Sequence, residues 1–384
     1  MSQSLNVEEL SRYDRHLRLA NVGINGQVAL KNARVLVIGV GGLGCPAALY
    51  LAAAGVGKLG LLDFDDVEVS NLQRQVLFRT VDEGRSKVDC ASEELQALNP
   101  YIEVCVYRER LNSENVLTIF NDYDVIVDAV DNFATRYLIS DGCVLANKIN
   151  VHGSVQGFEG RISVLCHENG PCYRCMFPTL PRSGSIPSCS EGGVLGVVPG
   201  IIGTHMACEV IKLIIGQGSA SIGSLQVIDV LNNSYGRFRL PQDPDCITCG
   251  QSPSVTDISH CLEASYIGAS CDVSAEQYAD STINCSELEQ MLRQNPNEML
   301  LIDLRTAEEI VQTPMITSAV SIPLAELKEK LSIMRPQKQI IVYCRAGARG
   351  ETALELLKGL GLKGAKNLAG GVLAWQSHIF IPQS

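Results

Sequence analysis

The sequence is poor in aromatic residues and basic charge, and it has no long uninterrupted apolar run. Only 5% of its 384 residues are aromatic, and 31 Lys and Arg face 42 Asp and Glu, a formal net charge of −11. This acidic balance argues against binding of nucleic acid. No apolar run reaches the roughly 20 residues of a membrane span, and the mixed-charge start is unlike a signal peptide. We therefore expect a cytoplasmic protein without a nucleic-acid or membrane partner.

What the sequence does have is length, apolar content and cysteine. Its 384 residues, 46% hydrophobic and 19% charged, fit a globular protein of two or three domains. Fifteen cysteines would indicate disulfides in a secreted protein, but without an export signal metal ligation, catalysis and buried thiols are better interpretations. Six in apolar or helical contexts are predicted to be small core residues: Cys45, Cys90, Cys105, Cys143, Cys166 and Cys208.

The order of predicted elements indicates an α/β protein. Predicted strands at 34–39, 58–63, 102–107, 124–128 and 149–153 alternate with helices at 43–54, 84–98, 112–121 and 133–146. This alternation implies a mainly parallel sheet with helices on its faces. Shorter strands at 160–166 and 225–230 and a helix near 200–215 follow. A second α/β pattern has strands at 299–303, 318–322 and 339–343 and helices at 286–294, 324–332 and 348–358. The predicted domains are 1–250 and 283–384, joined by a polar linker over 251–282.

The stretch that follows the first strand predicts a nucleotide site. The strand runs into a glycine loop, GVGGLG, and a helix and a second apolar strand ending at Asp63 come next. The loop glycines are Gly39, Gly41, Gly42 and Gly44. This Rossmann-like order places backbone N–H groups and a helix N-terminus under a phosphate, and a carboxylate at a ribose hydroxyl. Many dinucleotide enzymes share such a loop, so the loop alone does not define the ligand.

The residues after Asp63 favour a nucleoside triphosphate. Ser70, Asn71 and Arg74 follow in a short helix or turn, and Lys87 begins the next predicted helix. Hydride transfer has no need of an arginine and an asparagine at this point. A triphosphate does, because its additional negative charge must be neutralised. The sequence therefore predicts that these side chains bind the nucleotide.

Asp131 and Asn132 follow the fourth predicted strand of the first domain. Ligands bind at such strand ends in open α/β sheets. A carboxylate there is suited to hold Mg²⁺, which prefers one or two carboxylates together with phosphate oxygens. The alternative is that Asp131 caps the helix that follows.

The run from the glycine loop to Arg74 resembles the MoeB/ThiF family of ubiquitin-activating-type adenylyltransferases. The resemblance implies ATP as the nucleotide. It assigns contacts to Gly42, Asp63, Asn71, Arg74, Lys87 and Asp131. The segment Arg12–His16, RYDRH, resembles a family segment whose second arginine reaches across a homodimer to the partner's ATP phosphates. Arg15 would take that role, although without the resemblance it would be interpreted as a surface arginine. Positive charge from these groups and Mg²⁺ would offset repulsion between a substrate carboxylate and the α-phosphate.

Two CxxC pairs predict a closed metal site. Cys172 and Cys175, and then Cys246 and Cys249, each place two thiols on one turn. Four thiolates suit Zn²⁺. A redox CxxC is the alternative, but it usually opens a helix after a strand, whereas the prolines here favour turns. The MoeB/ThiF resemblance includes both pairs and supports structural zinc.

Cys189 lies in a polar stretch rich in Ser and Gly. An exposed cysteine in such a loop is a candidate nucleophile, and an incidental thiol is the alternative. The segment resembles the MoeB/ThiF loop in which a cysteine precedes an acidic residue and a glycine. In related activating enzymes that thiol bonds covalently to the carrier or to sulfur.

Cys344 directly follows a predicted strand and precedes a helix, in the segment CRAGAR. Loop N–H groups, the helix N-terminus and two arginines favour a thiolate or persulfide anion. Arg349 lies one residue nearer to the cysteine than in a CxxxxxR phosphatase loop, and the tighter loop favours sulfur over phosphate. The segment resembles the rhodanese family. Asp303 and Arg305, which we expect to be structural, also resemble that family, and so does the later segment GGVLAW. Members of the rhodanese family usually have Gly-His-Ile before the third strand. In this sequence that segment is replaced by Thr-Pro-Met-Ile, residues 313–316.

Together these motifs resemble the molybdopterin synthase adenylyltransferase/sulfurtransferase family. The resemblance implies ATP-dependent adenylation of the C-terminal glycine of a ubiquitin-like sulfur carrier, MoaD-like or ThiS-like with a Gly-Gly tail. Persulfide sulfur from a cysteine desulfurase or thiosulfate would then form a thiocarboxylate through Cys344. The implied enzyme is a homodimer serving molybdenum cofactor, thiamine or thiolated tRNA synthesis.

Two other functions stay open at this point. One is an NAD(P)-dependent oxidoreductase with an accessory sulfur-binding domain. The other is a non-catalytic scaffold for ubiquitin-like proteins, against which the intact Arg74, Lys87 and Asp131 argue.

Overall fold

The computed structural model describes residues 4–167, 170–178, 193–218, 220–258, 281–294, 298–334, 338–345, 347–362, 364–372 and 374–375. These residues form two compact units, one ending at residue 258 and the other beginning at residue 281. Cys189 lies outside the described residues.

The first unit is built on an eight-stranded sheet in the order β3-β2-β1-β4-β5-β6-β7-β8. Its strands are β1 (Arg34–Ile38), β2 (Lys58–Leu62), β3 (Glu103–Tyr107), β4 (Val125–Asp128), β5 (Ile149–Gln156), β6 (Glu159–Leu165), β7 (Ser224–Asp229) and β8 (Ser234–Arg239). The strands from β3 to β5 in this order are parallel, and β6, β7 and β8 continue the sheet antiparallel. The predicted mainly parallel sheet is confirmed. Strand β8 was not predicted, because most of its side chains are exposed and show no apolar alternation.

Helices cover both faces of this sheet. They are α1 (Val7–Arg12), α2 (Asp14–Leu17), α3 (Gly23–Asn32), α4 (Gly44–Ala54), α5 (Lys87–Leu98), α6 (Val116–Asn121), α7 (Phe133–Leu145), α8 (Tyr173–Met176) and α9 (Val197–Ile215). Helices α3, α4, α5 and α9 contribute to one core cluster, and α6 and α7 to the other. Because both faces are covered, β1 after Arg34 and β4 before Asp128 are continuous apolar runs. Val255 and Ile258 are buried in the α6–α7 cluster.

Helix α9 is longer than the predicted 200–215. Its 19 residues are long and apolar enough to cross a bilayer, which corrects the expectation that no segment is. No other helix in the described ranges meets that test. One side of α9 packs in the core through Val198, Ile202, Met206 and Val210. The fully buried Glu209 accepts hydrogen bonds from the backbone N–H of Ser221 and from Lys212 Nζ, at 2.8 and 2.7 Å. The helix is therefore a core element of this unit.

The second unit has a five-stranded, wholly parallel sheet in the order β11-β10-β12-β13-β9. Its strands are β9 (Thr282–Ile283), β10 (Met299–Asp303), β11 (Val320–Ser321), β12 (Gln339–Tyr343) and β13 (Lys366–Leu368). Its helices are α10 (Cys285–Gln294), α11 (Ala307–Gln312), α12 (Leu327–Met334) and α13 (Ala348–Gly359). Strand β12 lies at the centre, with a core cluster on each face. The sequence did not predict β9, β13 and α11, because two to six residues carry too little periodicity.

Three of the six predicted core cysteines are buried: Cys45, Cys90 and Cys143. Cys105 and Cys166 are half-buried, and Cys208 is exposed on α9. The prediction for Cys208 is wrong because α9 carries apolar residues on every side and its glutamate is buried, so its sequence does not reveal which side faces away from the core.

Candidate functional site

The glycine loop follows β1 and leads into α4. Gly39 has a left-handed φ of +85°, and a Cβ there would lie 2.9 Å from the carbonyl oxygen of Ala129. A Cβ on Gly44 would lie 1.9 Å from Gly39 O, so no larger residue fits at the start of α4. A Cβ on Gly42 would lie 3.2 Å from Pro199 of α9. The loop is thus enclosed by β4 and α9, with the N-terminus of α4 free to face an anion.

Asp63 lies at the carboxyl end of β2 and binds the glycine loop directly. Its Oδ2 accepts a hydrogen bond from the N–H of Val40 at 2.7 Å, and its Oδ1 accepts from the N–H of Asp65 at 2.9 Å. Burial raises the pKa of Asp63, and the nearby Lys87 ammonium opposes that rise. These bonds fix the carboxylate beside the loop, where a ribose hydroxyl would donate to it.

Arg74 lies against the glycine loop. Its Cγ would be 3.4 Å from a Cβ built on Gly42. Its guanidinium donates to Asn71 Oδ1 and, at 3.3 Å, to the carbonyl of Ser70. Asn71 Nδ2 in turn donates to Glu68 Oε2 at 3.1 Å. The turn from Val69 to Asn71 therefore orients the arginine beside the loop.

Lys87 and Asp131 contribute opposite charges on the segments that follow β2 and β4, the strands on either side of β1. Lys87 is the first residue of α5, is almost fully buried, and donates to Asp65 Oδ2 at 2.9 Å. Asp131 is exposed and makes no hydrogen bond or ion pair within the described part of the chain. Asn132 caps α7 by accepting from the N–H of Thr135 at 2.9 Å. Asp131 is therefore not the cap, and its carboxylate is available to a cation such as Mg²⁺.

Arg15 is placed differently from the other predicted nucleotide-site residues. It lies on α2, its side chain is 84% exposed, and its guanidinium is 3.7 Å from the carboxylate of Asp14. No contact joins Arg15 to the glycine loop of its own chain within the described residues. The rest of the predicted set lies at the carboxyl ends of β1, β2 and β4 or on the segments that follow them.

The four CxxC cysteines come together in one cluster, with all four sulfur atoms within 4.8 Å of one another. The Sγ–Sγ distances are 3.9 Å for Cys172–Cys175, 3.5 Å for Cys172–Cys246 and 3.4 Å for Cys175–Cys249. A tetrahedral zinc with Zn–S bonds of about 2.3 Å would set sulfur–sulfur distances of about 3.8 Å. The geometry of the cluster thus fits zinc.

A buried carboxylate that the sequence did not single out holds both CxxC segments on α7. Asp141 is fully buried and accepts from Arg174 Nε and Nη2 at 3.0 and 2.8 Å. It also accepts from Thr248 Oγ1 at 3.0 Å. Arg174 lies between the first two cysteines and Thr248 between the last two. The signal available in the sequence was an acidic residue in the apolar second half of α7.

In the second unit, Cys344 directly follows the central strand and is fully buried. The N–H of Gly347 donates to its Sγ at 3.1 Å, and α13 begins at the next residue. Asn367 Nδ2 donates to the carbonyl of Gly347 at 2.9 Å, which holds the loop in its curled form. A Cβ on Gly371 would lie 2.4 Å from Cys344 O, so this close approach requires glycine. The N–H of Gly347 can therefore stabilise an anion on the sulfur.

Arg349 pairs with a residue of another helix. Its Nη1 and Nη2 donate to the two carboxylate oxygens of Glu309 at 2.8 and 2.5 Å. Arg349 lowers the pKa of Glu309 to about 2. The sequence predicted Arg349 to act on the sulfur anion, and the structure gives its guanidinium a carboxylate partner on α11.

The segment that replaces Gly-His-Ile binds the buried Asp303–Arg305 ion pair. Arg305 Nη2 and Asp303 Oδ2 are 2.6 Å apart, and both residues are at most 1% exposed. Arg305 Nη1 donates to the carbonyl of Thr313 at 3.0 Å. The N–H of Ile316 donates to Tyr343 Oη at 3.0 Å. Segment 313–316 is thus tied to the core of this unit.

Residues 13–248 match the ThiF family, more than half of the chain. The chain belongs to the ThiF family. Residues 284–378 of this ThiF-family chain match the rhodanese-like domain. A probable adenylyltransferase/sulfurtransferase, MoeZ of Mycobacterium tuberculosis, is 41% identical over 98% of this chain and 95% of its own length. Adenylyltransferase and sulfurtransferase MOCS3 of Culex quinquefasciatus is 38% identical over 98% of this chain and 89% of its own.

Solved structures agree with the fold of the first unit. A crystal structure of E. coli MccB with MccA-N7isoASN has a TM-score of 0.57 and 25% identity, covering 62% of this chain and 75% of that one. The E. coli MccB structure with ATP shares the fold, with a TM-score of 0.55 and 24% identity over 64% of this chain and 75% of that one. With the two family matches, this ThiF-family protein is an adenylyltransferase and sulfurtransferase, not an oxidoreductase or a scaffold.

Proposed function

We propose that this ThiF-family enzyme adenylates the C-terminal glycine of a ubiquitin-like sulfur carrier with a Gly-Gly tail, and then converts that carboxyl group to a thiocarboxylate. Adenylation is assigned to residues 1–250 and sulfur transfer to residues 283–384, with 251–282 as the linker. The observation that carries the proposal is the presence, in one chain, of a glycine loop with Asp63 and Arg74 beside it, and of a buried thiol that accepts a loop N–H bond.

The first reaction joins two anions. The carrier carboxylate attacks the α-phosphate of ATP, which forms the mixed carboxylic–phosphoric anhydride of the acyl-adenylate, breaks the α–β phosphoric anhydride and releases pyrophosphate. Loop N–H groups and the α4 N-terminus bind phosphate oxygens, and Asp63 accepts from the ribose. Arg74 and Lys87 stabilise the charge that spreads over the phosphates, so the rate gain is electrostatic and positional.

Two further positive charges complete this site. Mg²⁺ held by Asp131 would neutralise phosphate charge. Arg15 acts in the proposed homodimer from the other subunit, which agrees with its exposure and its lack of contact with its own glycine loop. Ser70 and Asn71 accept hydrogen bonds from Arg74 and so position it. Asn132 positions the segment after β4 by capping α7.

The second reaction uses Cys344 as the sulfur carrier. The Cys344 thiolate attacks the sulfane sulfur of a donor and becomes a persulfide; sulfite leaves if the donor is thiosulfate, and a cysteine thiolate leaves if it is the persulfide of a cysteine desulfurase. Its terminal sulfur attacks the acyl carbon, and AMP leaves. A second thiol then cleaves the S–S bond of the acyl disulfide, which releases the thiocarboxylate and leaves a disulfide for an external thiol to reduce. Cys189 is our candidate for the second thiol or for a covalent hold on the carrier.

The remaining assignments concern the metal and the setting. Zinc bound by Cys172, Cys175, Cys246 and Cys249 would be structural, since four protein ligands leave no open position. The proposed enzyme is cytoplasmic. Its carrier would serve molybdenum cofactor, thiamine or thiolated tRNA synthesis.

Exchange of labelled pyrophosphate into ATP tests this function. We expect exchange only with a carrier that ends in Gly-Gly, and formation of a thiocarboxylate when a sulfane donor is added. The matched control is the same carrier without its last glycine, which should support neither reaction. Exchange that ignores the carrier tail would contradict the proposal.

A further inference from the structure

The segment that carries Arg15 is fastened to the nucleotide-binding helix by a buried polar network. Tyr13, two residues before Arg15, is 3% exposed, and its hydroxyl accepts a hydrogen bond from Asn99 Nδ2 at 2.8 Å. The same Asn99 nitrogen donates to the carbonyl of Ala52, in the last turn of α4, at 2.7 Å. Asn99 itself is fully buried. One amide thus ties the tyrosine to α4.

A second amide makes a parallel connection. Gln27 is fully buried, and its Nε2 donates to the carbonyl of Ala54 at 2.8 Å. Its Oε1 is 3.0 Å from Nδ1 of His16, the residue after Arg15. The rings of His16 and Tyr13 stack with centroids 6.3 Å apart. Arg15 is therefore flanked in sequence by two side chains held on the end of α4, while it extends into solvent itself.

The end of α4 is shaped to receive the tyrosine. Gly55 ends the helix with a left-handed φ of +83°, and a Cβ there would lie 2.5 Å from both Cζ and Oη of Tyr13. The close approach of the Tyr13 ring therefore requires glycine at position 55. Since α4 begins at the glycine loop, one rigid helix connects the nucleotide site of a chain to the Arg15 segment of the same chain.

We infer that Tyr13, held by Asn99, is a positioning residue that fixes the exposed Arg15 for the nucleotide site of the other subunit. The inference rests on the proposed role of Arg15 across a homodimer. The backbone supports it, because the carbonyl of Tyr13 accepts from the N–H groups of His16 and Leu17 and so begins α2. A displacement of Tyr13 would move Arg15 directly. A positional error of about 1 Å in a charge-stabilising group can cost up to about 100-fold in rate.

Tyr13→Phe is the test variant, because it removes the hydroxyl and keeps the ring that packs on Gly55. The matched control is Tyr107→Phe, which removes a hydroxyl bonded to Tyr123 Oη at 3.1 Å in the same unit, away from the Arg15 segment. We expect Tyr13→Phe to lower kcat for carrier adenylation by roughly tenfold with little change in KM for ATP. The control should leave kcat unchanged.

A double-mutant cycle separates positioning from a general structural effect. If Tyr13 acts through Arg15, adding Tyr13→Phe to Arg15→Ala should slow the enzyme no further. If it lowers kcat by the same factor in both backgrounds, or does not lower it in the native background, the inference is overturned while the role of Arg15 stands. An unchanged kcat for Arg15→Ala itself would overturn both.

Hybrid dimers locate the defect. In a hybrid of Tyr13→Phe with Asp131→Ala, the only intact nucleotide site lies in the Tyr13→Phe chain and receives a correctly held Arg15, so that site should work at the native rate. In a hybrid of Tyr13→Phe with Arg15→Ala, only the nucleotide site of the Arg15→Ala chain receives an arginine. That arginine comes from the Tyr13→Phe chain, where it is no longer held in place, so this site should be slow. The reverse pattern would show that Tyr13 acts on its own chain's site through α4, which contradicts the inference.

Discussion

Replacing Asp141 by Asn should loosen both CxxC segments at once. The variant keeps an oxygen that can accept from Thr248 Oγ1 but removes the charge that Arg174 faces with two nitrogens. Arg174 is 8% exposed and Asp141 is fully buried, so the arginine would remain as an uncompensated buried charge. Breaking such a pair from one side costs about 3–5 kcal/mol. Metal affinity should also fall, by up to the roughly 10–100-fold that follows the loss of a group that orients metal ligands, because Arg174 and Thr248 hold the segments that carry the four thiols.

The chain offers a matched control and two separate optical signals. Asp124→Asn breaks the pair with Arg34, whose side chains are 44% and 46% exposed, and should cost at most about 1 kcal/mol. The single tryptophan, Trp375, lies in the second unit, whereas circular dichroism reports on both units. In Asp141→Asn the dichroism transition should move to lower denaturant while the tryptophan fluorescence transition stays in place.

Zinc release to a chromophoric chelator completes the assay. The Asp141→Asn protein should release one zinc per chain at lower chelator concentration than the native protein, and Asp124→Asn should behave as the native protein does. Equal zinc affinity and an unmoved dichroism transition in Asp141→Asn would refute the argument that this carboxylate holds the metal segments together.

Three further predictions concern the reactions and their pH dependence. Asp131→Ala should abolish formation of carrier-AMP. It should not change thermal stability, because the Asp131 side chain is exposed and makes no hydrogen bond or ion pair within the described residues. Normal adenylation by the folded variant would disprove the Mg²⁺ assignment. Cys344→Ala should keep ATP–pyrophosphate exchange and lose thiosulfate:cyanide sulfur transfer, and thiocarboxylate formed at the native rate from a sulfane donor would show that another group carries the sulfur. Arg349 lowers the pKa of Glu309 from 4.5 to about 2, so the stability that this pair adds is present above pH 4.5 and is lost as pH falls toward 2. Trp375 fluorescence should show that loss of stability, and Glu309→Gln should make the loss smaller. An identical acid transition in both proteins would exclude the pair as its cause.

Several assignments needed only short stretches of sequence. The strand–glycine loop–helix order, each CxxC pair taken by itself and CRAGAR are all short continuous segments, although the two CxxC pairs are 74 positions apart. Their chemistry depends on local backbone geometry, such as the left-handed φ of Gly39 and the N–H of Gly347 beside Cys344. The alternation of apolar strands and amphipathic helices is also a local pattern, and it predicted the mainly parallel sheet of the first unit.

Long-range polar contacts leave no such pattern. Asp141 meets Arg174 and Thr248 across 33 and 107 positions, and Tyr13 meets Asn99 across 86. No periodicity or spacing connects such residues, because their proximity is set by how helices pack on the sheet.

The sequence by itself determined the α/β class and predicted the chemical types of the candidate sites: a glycine loop with basic partners, four thiols suited to a metal, and a reactive thiol between a strand and a helix. Only the tertiary structure decided that Asn132 and not Asp131 caps α7, that Glu309 pairs with Arg349, and that the Arg15 segment is fastened to α4. The physical reason is that backbone propensity acts over a few residues. A buried donor finds its acceptor wherever the packed elements bring the two together.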